Sequence, residues 1–193
     1  MEFSSTKDQV TATLVTRPGL GETVGAGGVY SVTCVGADGV EKWSDTFHNL
    51  VVNQGLANMN GAYLGASAQT TTWYIGLVTG PGSGTTFSAG DTLASHGATG
   101  SGGWTENTDY SGNRKAVTFG AATTANPSVI SNSASPSSFT MTGTAVIAGA
   151  FLASVATGTS GVLFSGGDFT GGDKSVASGD TLNVTYTFSL TAT

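Results

Sequence analysis

The last thirteen residues of the chain, TLNVTYTFSLTAT (181–193), alternate between apolar and polar side chains. Because successive side chains of a β-strand point to opposite faces of a sheet, this pattern predicts a strand with one buried face. The buried row is Leu182, Val184, Tyr186, Phe188 and Leu190. Such alternation is typical of antiparallel sheets that have one face in a core. The chain is therefore expected to be all-β.

Several other segments have the composition of strands. Residues 29–48 predict a hairpin, because β-branched and aromatic residues flank Asp38-Gly39, a pair that tolerates the positive φ angles of hairpin turns. Further strands are expected at 9–16, 70–80, 115–120, 128–132, 138–155 and 161–167. Short strands separated by turn signals favour an antiparallel β-sandwich or a jelly-roll-like arrangement.

One short helix is expected near residues 53–64. Leu56, Met59, Tyr63 and Leu64 recur at helical spacing, and Asn53 is a suitable N-cap. Two glycines inside this segment each destabilise a helix by about 1 kcal/mol relative to alanine. The helix should therefore form only where its apolar side packs against a sheet. A single helical turn is also expected at 91–97, capped by Asp91.

The chain divides by composition into an arm and a domain. Residues 1–28 predict an N-terminal arm that is extended or folds on assembly, and residues 29–193 predict one β-rich domain, since sandwiches of this size occur undivided. The run at 97–102 is an insertion with almost no side chains to order it, and its role is open.

Charged residues are scarce. The 193 residues include 6 Lys or Arg and 12 Asp or Glu, for a net charge of −6, whereas a typical soluble domain is about one quarter charged. A surface of small neutral groups suits close contact with protein. The absence of a basic stripe argues against direct nucleic-acid binding. No segment reaches the roughly 20 apolar residues of a membrane span, and we expect no Sec export because the N-terminus lacks an apolar signal segment.

The sequence predicts no enzyme, no cofactor and no catalytic or metal-binding residue. Cys34, His48 and His96 are too few and too dispersed for a zinc site, which needs three or four ligands. No G-K-[ST] phosphate loop or G-x-S-x-G elbow is present. His48 is expected to be a packed or capping side chain, and His96 to shape its loop. Cys34 is expected to be a small buried residue, with an intermolecular disulfide as the alternative.

Two groups of residues leave a sugar-directed role open. Glu106 and Asp109 could form the carboxylate pair of a glycosidase, although a solvated loop is the simpler interpretation. Exposed aromatic side chains could form a sugar-binding platform, although the same rings are first of all packing residues. These rings are Trp43, Trp73, Trp104, Tyr110 and Phe119.

An ordered set of motifs resembles a group of tailed-bacteriophage proteins encoded among virion structural genes. The resemblance covers about residues 43–193, and the first forty residues fall outside it. Its motifs are WSDTFHNLVVNQGLANMNGAYLG, WYIGLV, DTLASH, GWTENTDYSGNRKAVTFG, TAVIAGAFLAS, LFSGGDF and SVASGDTLNVTYTFSLTAT.

This resemblance implies a virion structural protein that decorates or cements the capsid. Its expected partners are the major capsid protein or other virion proteins and further copies of itself, with a trimer favoured. The expected location is the virion, assembled in the bacterial cytoplasm. The alternative is a tail, collar or fibre component whose loops at 80–103 contact neighbours or a host glycan.

Overall fold

The structure, a computed structural model, describes residues 24–80, 87–95 and 104–192. The strand predicted at 9–16, His96 and the insertion at 97–102 lie outside these ranges. The described residues form twelve β-strands, one α-helix and a 3₁₀ turn at Leu93–Ser95. In chain order these are β1 (Val24–Val35), β2 (Glu41–His48), β3 (Leu50–Val51), α1 (Asn53–Tyr63), β4 (Tyr74–Gly80), β5 (Glu106–Asn107), β6 (Lys115–Ala116), β7 (Ser128–Ser131), β8 (Ser137–Thr140), β9 (Ala145–Ala153), β10 (Leu163–Asp168), β11 (Lys174–Val176) and β12 (Thr181–Ala192).

The strands form two antiparallel sheets. Sheet A has the order β2-β1-β12-β7, with β8 also paired to β12. Sheet B has the order β3-β10-β9-β4-β5, with β6 paired to β4 and β11 to β9. Their inner faces share one core, in which Tyr30 and Val184 of sheet A lie with Ile75 and Leu152 of sheet B. The predicted all-β sandwich with one short helix is confirmed.

Strand β12 lies at the centre of sheet A, as its alternating sequence predicts. It pairs along its whole length with β1, with Tyr186 opposite Tyr30 and Leu182 opposite Cys34. Leu182, Val184 and Tyr186 are fully buried. The alternation therefore sets which side chains enter the core, because a shift of one residue would turn the whole row to the other face.

The hairpin predicted at 29–48 is confirmed by β1 and β2. Gly39 has a φ of +82°, which glycine adopts without the steric strain of a side chain. The backbone N–H of Gly36 donates to the Val40 carbonyl oxygen at 2.8 Å. The Asp38 carboxylate accepts the Val40 backbone N–H at 3.0 Å and closes the turn.

The single strand predicted over 138–155 is wrong, because the chain changes sheets in the middle of it. Strand β8 belongs to sheet A, whereas β9 is central in sheet B. Between them, the backbone N–H groups of Met141 and Thr142 donate to the carbonyl oxygens of Asp180 and Asp109. The segment predicted at 115–120 likewise keeps only the two residues of β6 as strand.

Helix α1 lies where the sequence predicts it, but Asn53 is not its N-cap. Val52 holds that position without a side-chain cap. Backbone contacts replace the cap, because the N–H of Val52 donates to the Phe164 carbonyl and that of Asn53 to the Ala89 carbonyl. A Cβ at Gly55 would overlap the Phe164 carbonyl oxygen. Glycine therefore allows α1 to lie directly against β10.

The predicted apolar side of α1 is only partly covered. Met59 packs against the core. By contrast, Leu56 is 41% exposed and Tyr63 is 74% exposed. Leu64, at the C-cap, is 88% exposed. The expectation that this side is buried is wrong for these three, because contact with β10 is made through Gly55 rather than through the large side chains.

A smaller second core covers the outer face of sheet B. Trp104 is its centre, 4.5 Å from the Phe87 ring and 4.7 Å from the Phe151 ring between centroids. The 3₁₀ turn beside it is capped by Thr92, whose Oγ1 accepts the Ser95 N–H at 3.2 Å. The predicted cap at Asp91 is wrong, since its carboxylate accepts the backbone N–H of Ser88 instead.

The boundary between the arm at 1–28 and the domain at 29–193 remains a prediction, because residues 1–23 lie outside the described ranges. Within those ranges, Val24–Gly28 already belong to β1 and pair with β12.

Candidate functional site: an apolar groove at one end of the sandwich

A groove of about 550 Å³ lies between the two sheets where they meet α1. Volumes of this size are typical of sites that bind ligands or anchor side chains. Its walls are Asn58, Met59, Ala62 and Tyr63 of α1, residues 69–71 and Trp73, Phe119 and Ala122, Ser128 and Ile130 of β7, Leu152 of β9, Phe164 of β10, and Tyr186, Phe188 and Leu190 of β12.

The groove exists because the inward row of β12 continues beyond the closed part of the core. Leu182, Val184 and Tyr186 are fully buried, but Phe188 and Leu190 are only half-buried. On the neighbouring strand β7, Ile130 lies opposite Phe188. Sheet B does not fully cover these apolar side chains, and they line the groove instead.

The described residues that line the groove carry no charge. No Asp, Glu, Lys or Arg occurs between Thr46 and Gly90, between Ala116 and Gly167, or after Asp180. All groove residues come from these three stretches. A charged ligand would lose its water there without gaining an ionic partner, so the groove is suited to neutral or apolar groups.

Tyr186, which lines the groove, belongs to a buried hydrogen-bond network. The Ser165 hydroxyl lies 3.1 Å from the Tyr30 hydroxyl and 3.3 Å from that of Tyr186. Asn49 Nδ2 donates to the Tyr186 oxygen at 2.9 Å. Burial raises the pKa of both tyrosines far above the ordinary value. These hydroxyls stay protonated at neutral pH, and their role is to satisfy one another in the core.

Gly28 is required beside this network. A Cβ at Gly28 would lie 2.6 Å from the Tyr186 hydroxyl oxygen. The glycine therefore leaves the space that the Tyr186 ring occupies under the groove.

The aromatic residues considered as a sugar platform do not lie together. Trp104 and Tyr110 are buried, and Trp43 packs edge-on against Phe169 at 5.6 Å. Only Trp73 and Phe119 line the groove. Their predicted role in packing is confirmed for all five rings, since the two half-buried groove rings and Trp43 also pack against the core.

Glu106 is held in an ion pair rather than presented with Asp109. Arg114, which is buried, donates to both Glu106 oxygens, at 2.8 and 2.6 Å. The same guanidinium donates to the carbonyl oxygens of Val155 and Gly158 at 3.0 Å. The Asp109 carboxylate accepts a hydrogen bond from Asn107. In this arrangement Arg114 links Glu106 to the loop between β9 and β10.

Cys34 is fully buried, as predicted, at the other end of the core. Burial, together with the nearby Asp180 carboxylate, raises the pKa of its thiol to about 11. Asp180 is itself paired with Lys42 at 2.8 Å. Burial alone would raise the pKa of Asp180, but hydrogen bonds from Lys42 and the Ala177 N–H outweigh it, and the pKa is lowered. The buried thiol is not placed to form an intermolecular disulfide.

His48 lies exposed on β2, so the expectation of a packed side chain is wrong. Among the described residues, no three His, Cys, Asp or Glu side chains come close enough to hold a metal ion. In the same part of the chain, no helix is long and apolar enough to cross a membrane.

The groove itself could not be found from local sequence patterns. Phe188 and Leu190 are predicted as core residues, and nothing in their own strand shows that sheet B does not fully cover them. The signal that does exist is the absence of charge in the stretches that form the groove.

Comparisons with known proteins do not assign this chain to a family. No protein-family model, no curated protein and no solved structure matches it.

Proposed function

We propose that this chain is a structural protein of a tailed-bacteriophage virion, and that it decorates or cements the capsid by binding the capsid lattice and itself. No catalysis is part of this function. The motifs between Trp43 and Thr193 that resemble phage structural proteins, taken in their order, carry the assignment to a virion.

The surface of the domain supports contact with protein. Its groove is apolar, and the stretches around it contain no charged residue. Burying such a surface leaves few charges without water or a partner, which is the main penalty of forming an interface. Many copies on one lattice would then bind firmly although each contact is weak, because each bound neighbour raises the effective concentration of the next.

The direct test compares purified particles of the encoding phage made with and without this gene. Particles without the protein should lack one band in their protein profile and should release DNA at a lower temperature. Particles with unchanged protein content, morphology and thermal stability would contradict the proposal.

A tail, collar or fibre component is the second candidate, and it includes contact with a host glycan. The half-buried rings of Trp73 and Phe119 in the groove favour it, because aromatic faces are common contacts for sugars and other neutral ligands. Density for the chain on the tail, rather than on the shell, in a particle reconstruction would support this candidate over the first.

A further inference from the structure

The exposed apolar end of α1 adjoins the groove through Tyr63. Six large hydrophobic side chains are exposed among the described residues, and four of them lie between residues 50 and 64. They are Leu50, Leu56, Tyr63 and Leu64. Tyr63 also lines the groove, and Leu64 follows it in the chain. An exposed apolar projection therefore lies directly beside an apolar depression.

The sequence of α1 is that of a helix with a covered side, yet in the described part of the structure Leu56, Tyr63 and Leu64 stay exposed. Where a sequence pattern predicts burial but the side chains are exposed, the exposed surface is usually functional. Contiguous exposed apolar patches on soluble proteins are likewise typical of interaction sites. The surface is therefore suited to a partner with an apolar face of its own.

We propose that this partner is a second copy of the chain, with Tyr63 and Leu64 of each copy inserted into the groove of the other. Copies related by a two-fold axis present the same surface to each other, so a projection beside a depression is self-complementary. Mutual insertion gives a pair, not the trimer expected from the resemblance.

Charge favours a second copy over a charged partner. The chain has a net charge of −6, so copies repel each other at most approaches. The face formed by α1 and the groove is built only from uncharged stretches, and contact there brings together no like charges. Approach through the uncharged lining of this groove therefore has a small electrostatic penalty.

The polar groups of the groove do not favour a sugar. Asn58 Nδ2 donates to Thr70 Oγ1 at 3.3 Å, so these two groups already satisfy each other in part. The remaining lining is mainly Met, Ile, Leu and aromatic side chains. Such a lining matches apolar side chains better than it matches the many hydroxyls of a saccharide.

This inference rests on the proposed function for the expectation that the chain self-associates, whereas the surface itself comes from the described residues. The dimer and the proposed virion function can be refuted separately, because self-association is measured on the free protein and attachment is measured on particles.

The test measures the mass of the full chain by sedimentation equilibrium over a wide concentration range. Leu64→Ser shortens the projection, and Ala122→Trp fills the groove from an exposed position on its wall. Val40→Ser is the matched control, since Val40 is 61% exposed in the β1–β2 turn. All three changes lie on the surface, so the melting temperature should change little.

The wild-type chain and the Val40→Ser control should form dimers with the same dissociation constant. Leu64→Ser and Ala122→Trp should each raise that constant at least about tenfold, as removal of a central apolar anchor does. Binding of the uncharged apolar dye Nile red should increase in Leu64→Ser, where the groove is uncovered, and decrease in Ala122→Trp.

A wild-type chain that is monomeric or trimeric throughout would overturn the inference, and so would a dimer that is insensitive to Leu64→Ser. Displacement of the dye from a monomer by a neutral oligosaccharide would assign the groove to a sugar instead. A Leu64-dependent dimer that does not bind particles would support the inference and contradict the proposed function.

Discussion

Helix α1 depends on a glycine at position 55, and this dependence predicts opposite effects for two similar substitutions. At Gly55, a new Cβ would overlap the carbonyl oxygen of Phe164. That oxygen cannot move aside, because it belongs to the backbone of β10 and accepts the Val52 N–H at 3.1 Å. The whole helix would have to shift from the sheet.

The change in the free energy of unfolding of Gly55→Ala is the sum of two opposing effects. Forcing extra atoms into a packed site destabilises by about 1–3 kcal/mol, and a rigid backbone neighbour favours the upper end of that range. Alanine restores roughly 1 kcal/mol because it is the better helix former. For Gly55→Ala we expect a net loss of about 2 kcal/mol in the free energy of unfolding. In a chain of this length, that loss lowers the melting temperature by about 4–8 °C.

Gly61→Ala is the matched control in the same helix. A Cβ there would meet Ser67 Oγ at 2.8 Å, which can rotate away, and Ser67 Cβ at 3.2 Å, which needs to shift by only a few tenths of an ångström in an exposed segment. Only the gain in helix propensity then remains, and the melting temperature should stay unchanged or rise by up to about 4 °C.

Thermal unfolding followed by circular dichroism measures both variants. A Gly55→Ala protein that is as stable as the wild type would refute the close contact between α1 and β10. Equal losses in the two variants would refute the distinction between backbone and side-chain neighbours.

Three further predictions concern buried polar groups. Arg114→Met should destabilise the fold by about 3 kcal/mol, because it leaves the Glu106 carboxylate and two loop carbonyls without their donor; denaturant unfolding measures the loss, and an unchanged midpoint would contradict it. With the pKa of the Cys34 thiol near 11, only about one thiol in a thousand is ionised at pH 8. The native chain should resist an aromatic disulfide reagent that reacts at once after unfolding. Since the pKa of the Asp180 carboxyl is lowered in the fold, its stabilisation is present above about pH 4 and is lost as the pH falls through the lowered value. Asp180→Asn should therefore flatten the acid dependence of the melting temperature, and an identical dependence in both proteins would exclude this role.

The β structure could be predicted from the sequence where a strand has one buried face. In β12 and in the hairpin of β1 and β2, the alternation and the Asp38-Gly39 turn suffice, because pleat and turn geometry act over neighbouring residues. The prediction fails at 138–155, where no Pro, Asn or Asp in the segment marks the break between β8 and β9. There, tertiary hydrogen bonds to Asp109 and Asp180 decide where the strand breaks.

For helix α1, too, one property could be predicted from the sequence and another could not. Its position follows from the spacing of its apolar residues, but its orientation follows from Gly55, which lets the helix approach β10 on an unexpected side. Leu56, Tyr63 and Leu64 are left in solvent as a consequence. The groove depends on where two sheets stop covering each other, which is a long-range property that local patterns do not carry.

The location of the chain in the particle tests the central claim most directly. A reconstruction of purified particles should show density that fits this β-sandwich at regularly repeated positions on the capsid shell, in contact with the major capsid protein. Particles that contain no copy of the chain would contradict the assignment to the virion, and density confined to the tail would contradict the role in capsid decoration.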